Sequence, residues 1–157
     1  MKENDENLNV EKHMSDLKKL YPAQLLISKK QLTQIRTNSE STLNREKFCG
    51  KGIPFKQEDK GIVMYPLRNV AAWLAGTPYL DKNLLLKTHI KDILEIFPGQ
   101  LLVSKKQLAQ LRTISESTLN REKVKNKGIA FTKEGGQIFY YVRDLAEWLC
   151  DTVKTVG

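Results

Sequence analysis

Residues 21–47 read YPAQLLISKKQLTQIRTNSESTLNREK, and residues 97–123 read FPGQLLVSKKQLAQLRTISESTLNREK. A segment repeated at a fixed offset, here 76 positions from Tyr21 to Phe97, is the signature of a duplicated structural unit. Upstream the match continues weakly, with Asp5, Asn7, Leu8, His13 and Asp16 falling on Asp81, Asn83, Leu84, His89 and Asp92. Downstream, KGIPF falls on KGIAF, and then KQEDKG faces the shorter TKEGG. Past that step Tyr65, Arg68, Ala71, Trp73 and Leu74 fall on Tyr140, Arg143, Ala146, Trp148 and Leu149. A length difference between two apolar runs belongs in a hairpin loop. The chain therefore divides into one copy at 5–75, a connector at 76–80 and a second copy at 81–150.

Each copy has the same succession of local signals. Met14, Leu17 and Leu20 predict a first helix over about Val10 to Leu20, with Pro22 beyond its end; Ile90, Ile93 and Ile96 precede Pro98 in the same way. Ser28 opens a second helix, because S-K-K-Q is a capping box whose Ser oxygen and Gln side chain satisfy backbone amides that have no helical partner. Thr37 and Asn38 form a turn, and Ser39 caps a third helix, SESTLNREK, in which Leu43 is the inward position. Ile53 to Phe55 and Ile62 to Tyr65 are short β-type runs around a polar loop and predict a hairpin. Asn69, or Asp144 in the second copy, is the expected cap of a closing helix with Val70, Trp73 and Leu74 on one stripe. The expected fold class is α+β and mainly helical: two tandem winged helix-turn-helix modules, each with a short β-hairpin wing.

Composition narrows the function classes. The 157 residues are 40% hydrophobic, enough for folded cores, and no apolar run approaches bilayer length. The acidic, polar start MKENDENLNVEKH lacks a secretory h-region, so a cytoplasmic, nucleoid-associated location is expected. Lys and Arg outnumber Asp and Glu by 26 to 18, a net charge of +8 that favours a polyanionic partner. The surplus is uneven: 12 basic against 5 acidic residues from Lys12 to Gly76, and 10 against 7 from Thr88 to Cys150.

Two short helices joined by a tight turn suit duplex DNA, because the second fits the major groove while a hairpin reaches the adjacent backbone or minor groove. With Leu43 inward, a rotation of 100° per residue turns Ser41 and Arg45 outward and leaves Thr42 and Asn44 on the flanks. Arg can grip guanine and Asn adenine in bidentate fashion, and Ser or Thr can reach a base or a phosphate. The matching residues are Ser117, Thr118, Asn120 and Arg121. Ser28, Lys29 and Lys30, with Ser104, Lys105 and Lys106, stand at a helix N-terminus suited to a phosphate, and Lys56, Lys60 and Lys133 are the expected wing contacts. Between Ser28 and Lys47 only positions 33, 35 and 38 differ from the second copy; two similar DNA half-sites are the simplest physical account, and a recent duplication leaves the same trace.

The run LLVSKKQLAQLRTISESTLNREK with the later YYVRDLAEWL resembles the small winged-helix proteins of the excisionase, AlpA and MerR-like group. That resemblance spans nearly all of both copies. It implies sequence-specific binding of double-stranded DNA by a transcriptional regulator or a recombination accessory factor of a mobile element. It also implies a protein partner such as a recombinase or RNA polymerase, with a homodimer as the further assembly to test. Relatives usually carry one module, so the tandem suggests a covalent pseudo-dimer. The alternative reading is an adaptor in which one module holds DNA and the other docks a protein.

Other chemistry finds little support. His13 and His89 lack ligand companions at metal spacing, Cys49 and Cys150 match no cysteine in the opposite copy, and Trp73 and Trp148 lie on core-facing stripes. Glu40, Glu46, Glu116 and Glu122 flank basic residues and fit helix-dipole and ion-pair roles. With no phosphate-cradling glycine loop or nucleophile elbow, the expectation is a protein without enzymatic activity, cofactor, metal or membrane partner.

Overall fold

The computed structural model of the chain describes residues 2–49, 52–57, 62–77, 82–124 and 128–152. It is α+β, mainly helical, and forms two compact units, one built mainly from residues before Tyr79 and the other mainly from Leu80 to Asp151. Among the described residues no helix is long and apolar enough to cross a membrane.

The first unit starts with α1, Lys2–Leu20, longer at its N-terminal end than the apolar spacing predicts. Met14 and Leu17 are buried, but Leu20 is 63% exposed. Three residues advance the helix by only 300°, so a strict three-residue spacing drifts off the core face. The stripe that packs is Val10, Met14, Leu17 and Tyr21, with alternating steps of four and three. Next come β1, Leu26–Ser28, α2, Lys29–Arg36, and α3, Glu40–Cys49. The strands β2, Lys56–Gln57, and β3, Val63–Pro66, lead directly into α4, Leu67–Ala75, which packs against α1.

The sheet has the order β1-β3-β2 and is antiparallel throughout, with Ile27 opposite Tyr65 and Lys56 opposite Met64. Three strands rather than two is a finding the sequence reading lacks: Leu26–Ser28 is too short to display a two-residue alternation. The apolar run Ile53 to Phe55, expected as a wing strand, instead sends Ile53 and Phe55 into the core, and the ladder is carried by the polar residues after it. An outer strand draws its stability from backbone hydrogen bonds and does not require apolar side chains.

The closing helix also departs from expectation. It begins two residues before Asn69, with Pro66 as cap residue and no side-chain cap. Asn69 is 2% exposed, and its Nδ2 donates to the Pro54 carbonyl at 3.0 Å, fastening α4 to the segment ahead of β2. Arg68, also buried, reaches Glu11 of α1 at 2.6 Å. The core comprises Met14, Leu17, Ile27, Leu32, Leu43, Phe55, Tyr65, Leu67 and Val70 among others.

The second unit repeats the order: α5, Lys82–Ile96; β4, Leu102–Ser104; α6, Lys105–Arg112; α7, Glu116–Val124; β5, Thr132–Glu134; β6, Gln137–Tyr141; and α8, Val142–Cys150. Here too the last helix starts early, capped by Tyr141 rather than Asp144, which falls in its first turn and complements the helix dipole. In the β5–β6 hairpin Glu134 pairs with Gln137, so Gly135 and Gly136 form a two-residue loop. Both have positive φ, 56° and 81°, as the mirror-image turns that match strand twist require. His89 and Asp92 of α5 are buried in this unit, whereas His13 is half-buried in the first.

Candidate nucleic-acid interface

The site grows out of a local rule, the capping box. Ser28 Oγ accepts from the Gln31 amide at 3.1 Å while Gln31 Oε1 accepts from the Ser28 amide at 2.9 Å, so β1 turns into α2 without stranded donors. Ser104 and Gln107 repeat both bonds at 3.1 and 2.9 Å. Each serine oxygen thus accepts one bond within the chain, and its hydroxyl proton is what it can donate to an outside phosphate.

Helix α2 ends at Thr37, which takes the left-handed conformation, φ 53° and ψ 44°; Thr113 does the same. A β-branched residue there is strained, and the turn it makes sends the chain into the next helix after two residues. Ser39 Oγ accepts from the Thr42 amide at 3.2 Å and Ser115 Oγ from that of Thr118 at 3.1 Å, so both serines cap as their sequence position predicts.

Along α3 the described side chains offer a single buried apolar anchor, Leu43, worth about 1.5–3 kcal/mol. Polar clamping adds to it. Arg36 Nη1 and Nη2 donate to the two Glu46 carboxylate oxygens, both at 2.6 Å, and the same guanidinium stacks over the Trp73 ring at 4.0 Å. One arginine thus joins α2, α3 and α4. In the second copy Arg112 meets Glu122 at 3.0 and 2.9 Å and lies 4.2 Å from Trp148. There the arginine side chain is 1% exposed, against 10% for Arg36. The Arg36 hydrogen bonds hold the Glu46 carboxyl below its ordinary range. Burial pushes the nearby Tyr65 and Tyr140 hydroxyls up, and the charges of Glu46 and Glu122 add to that. The tryptophans fill the stripe position expected of them. No local sequence pattern displays the clamp, because Arg36 pairs across ten residues and a turn, although all three members recur as Arg112, Glu122 and Trp148.

With its inner side so fixed, α3 turns Ser41, Asn44 and Arg45 to the outside and leaves Thr42 half-buried, hydrogen-bonded to Ser39 at 3.1 Å. Ser117, Asn120 and Arg121 are likewise exposed on α7, with Thr118 half-buried; Arg121 Nη2 donates to Thr118 Oγ1 at 3.1 Å. Lys29 Nζ donates to Asn44 Oδ1 at 2.9 Å, and Lys105 Nζ to Asn120 Oδ1 at 3.0 Å. These bonds bring the lysine that opens one helix onto the exposed face of the next. Lys30 and Lys106 are exposed beside them.

The wing residues fare unequally. Lys133 is exposed on β5, one residue short of the Glu134 that closes the hairpin. Lys56 is 8% exposed and lies within β2, so its expected role as an exposed wing contact is corrected: its strand position opposite Met64 draws the side chain into the fold. Lys60 lies outside the described residues. Among the described residues no three His, Cys, Asp or Glu side chains come together to hold a metal ion. Compared with known proteins, the chain matches no family model, no curated protein and no solved structure.

Proposed function

We propose that this chain is a sequence-specific double-stranded DNA-binding protein whose two copies are winged helix-turn-helix modules on adjacent half-sites. In this reading α3 and α7 enter successive stretches of major groove, Lys30, Lys106 and Lys133 meet phosphates, and the protein serves as a transcriptional regulator or an excisionase-like architectural factor. The observation that carries it is the outer face of α3 and α7: Ser41, Asn44 and Arg45 are exposed, polar and repeated without change as Ser117, Asn120 and Arg121. Folding does not require identity at exposed positions, whereas reading two similar half-sites does. The net charge of +8 and the resemblance to small winged-helix regulators point the same way. Covalent linkage makes the second contact effectively intramolecular, so two modest modules bind tightly together.

Selection of bound duplexes from a random pool, followed by gel shifts, tests this. Each bidentate arginine contact to guanine is worth roughly 1–3 kcal/mol, so Arg45→Ala or Arg121→Ala alone weakens specific binding by about fivefold to a hundredfold. The double variant compounds the two losses. Unchanged specific binding by Arg45→Ala with Arg121→Ala overturns the groove assignment. The smaller basic surplus of the second copy favours a second reading, in which that copy docks a protein and only the first holds DNA. In that case Lys106→Gln leaves the salt dependence of binding unchanged while Lys30→Gln flattens it.

A further inference from the structure

Asparagine on a groove-facing helix ordinarily selects adenine, using Oδ1 to accept from N6 and Nδ2 to donate to N7. In this chain that arrangement is opposed in both copies, since Asn44 Oδ1 already accepts from the Lys29 ammonium at 2.9 Å and Asn120 Oδ1 from that of Lys105 at 3.0 Å. An ammonium carries three donors and no acceptor. An adenine amino group approaching the remaining lone pair meets a positive charge and N–H groups of its own polarity, a repulsion that counts against adenine. What the pair offers outward is the Nδ2 protons and the free ammonium protons, all donors. The guanidinium of Arg45, next along the helix, is donor-only as well. Guanine is the base whose major-groove edge presents two neighbouring acceptors, O6 and N7.

Resting on the DNA-binding reading, we infer that Lys29 and Lys105 are specificity-determining positioning residues that turn Asn44 and Asn120 from adenine readers into guanine readers. The adjacent lysines divide the labour: Lys29 and Lys105 are half-buried against the following helix, whereas Lys30 and Lys106 are exposed and meet phosphates. The repeated geometry makes both half-sites rich in guanine at the contacted positions.

The test uses the full chain and duplex selection. Asn44→Ala with Asn120→Ala marks the base position these residues read, because selectivity falls there and nowhere else. At that position the unaltered protein selects guanine. Lys29→Met with Lys105→Met, which retains helix propensity and frees both amide oxygens, shifts the preference toward adenine by about tenfold. Lys30→Met with Lys106→Met serves as the contrast, lowering affinity for all sequences alike and reducing the salt slope without changing the selected base. Adenine selected by the unaltered protein, asparagine substitutions that leave every position unchanged, or a Lys29 and Lys105 variant that behaves like the Lys30 and Lys106 one overturns the inference. A protein that selects no duplex at all overturns the DNA reading itself.

Discussion

Replacing Arg112 by alanine strands the Glu122 carboxylate, 13% exposed, beside Tyr140 and unstacks Trp148. Breaking a buried pair by removing one member costs roughly 3–5 kcal/mol, mainly because the survivor stays charged and desolvated. Arg36 and Glu46 have the same connectivity at 10% and 25% exposure, and exposed pairs contribute at most about 1 kcal/mol, so Arg36→Ala falls between at about 2 kcal/mol. A half-chain of this size has a stability of roughly 4–10 kcal/mol, so the Arg112 loss removes a large share of it. The protein carries its own reporters, since it has two tryptophans, one in each clamp. In a Trp73→Phe background, urea unfolding followed by Trp148 fluorescence reads the second unit; in Trp148→Phe, Trp73 reads the first. With a slope near 1 kcal/mol/M, Arg112→Ala lowers the urea midpoint by about 3–5 M and Arg36→Ala by about 2 M. Adding Glu122→Gln to Arg112→Ala restores part of the loss, because no charge is left stranded. Equal costs in the two units, an Arg112 cost below about 1 kcal/mol, or no recovery on adding Glu122→Gln would refute the argument from burial.

Acid acts on the same clamp. Because Arg36 lowers the Glu46 pKa in the folded state, the stabilisation is fully present above the ordinary glutamate value of 4.5 and is lost as pH falls through the lower folded value; Glu46→Gln therefore flattens the acid limb of the first unit's stability curve, and an unchanged limb contradicts the assignment. Ala23 holds φ 64° where the other copy has Gly99 at φ 78° with open space around it, so Ala23→Gly raises stability and Gly99→Ala lowers it, each by about 0.5–1 kcal/mol in thermal melts. Ser28→Ala and Ser104→Ala each remove a capping box and cost about 1 kcal/mol by the same measurement.

Features encoded within a few residues were legible before the structure. The Ser28 and Ser104 capping boxes, the turn at Thr37, the Ser39 cap and the outward turn of Ser41 and Arg45 depend on neighbours within one helical turn; of the two flank residues, Asn44 is exposed whereas Thr42 is half-buried. What escaped depends on the fold: β1 exists because β3 lies beside it, and Asn69 bonds Pro54 because α4 folds back over that segment. Lys56 misled for the same reason, since a lysine near a loop reads as exposed until strand register draws it inward. The lysine–asparagine bonds and the arginine clamp connect residues 15 and 10 apart across the turn, beyond the reach of any local pattern.

The clamp also has a bearing on how this molecule can change. Because Arg36, Glu46, Trp73 and Leu43 fix α3 from one side, the opposite side carries almost none of the folding energy and can be rewritten at little cost to stability. A chain with two such rewritable faces can keep one address while acquiring another. Under the proposed DNA-binding function, exchanging Asn44 and Arg45 alone, with Asn120 and Arg121 retained, converts a reader of two like half-sites into a reader of two unlike ones without disturbing either core.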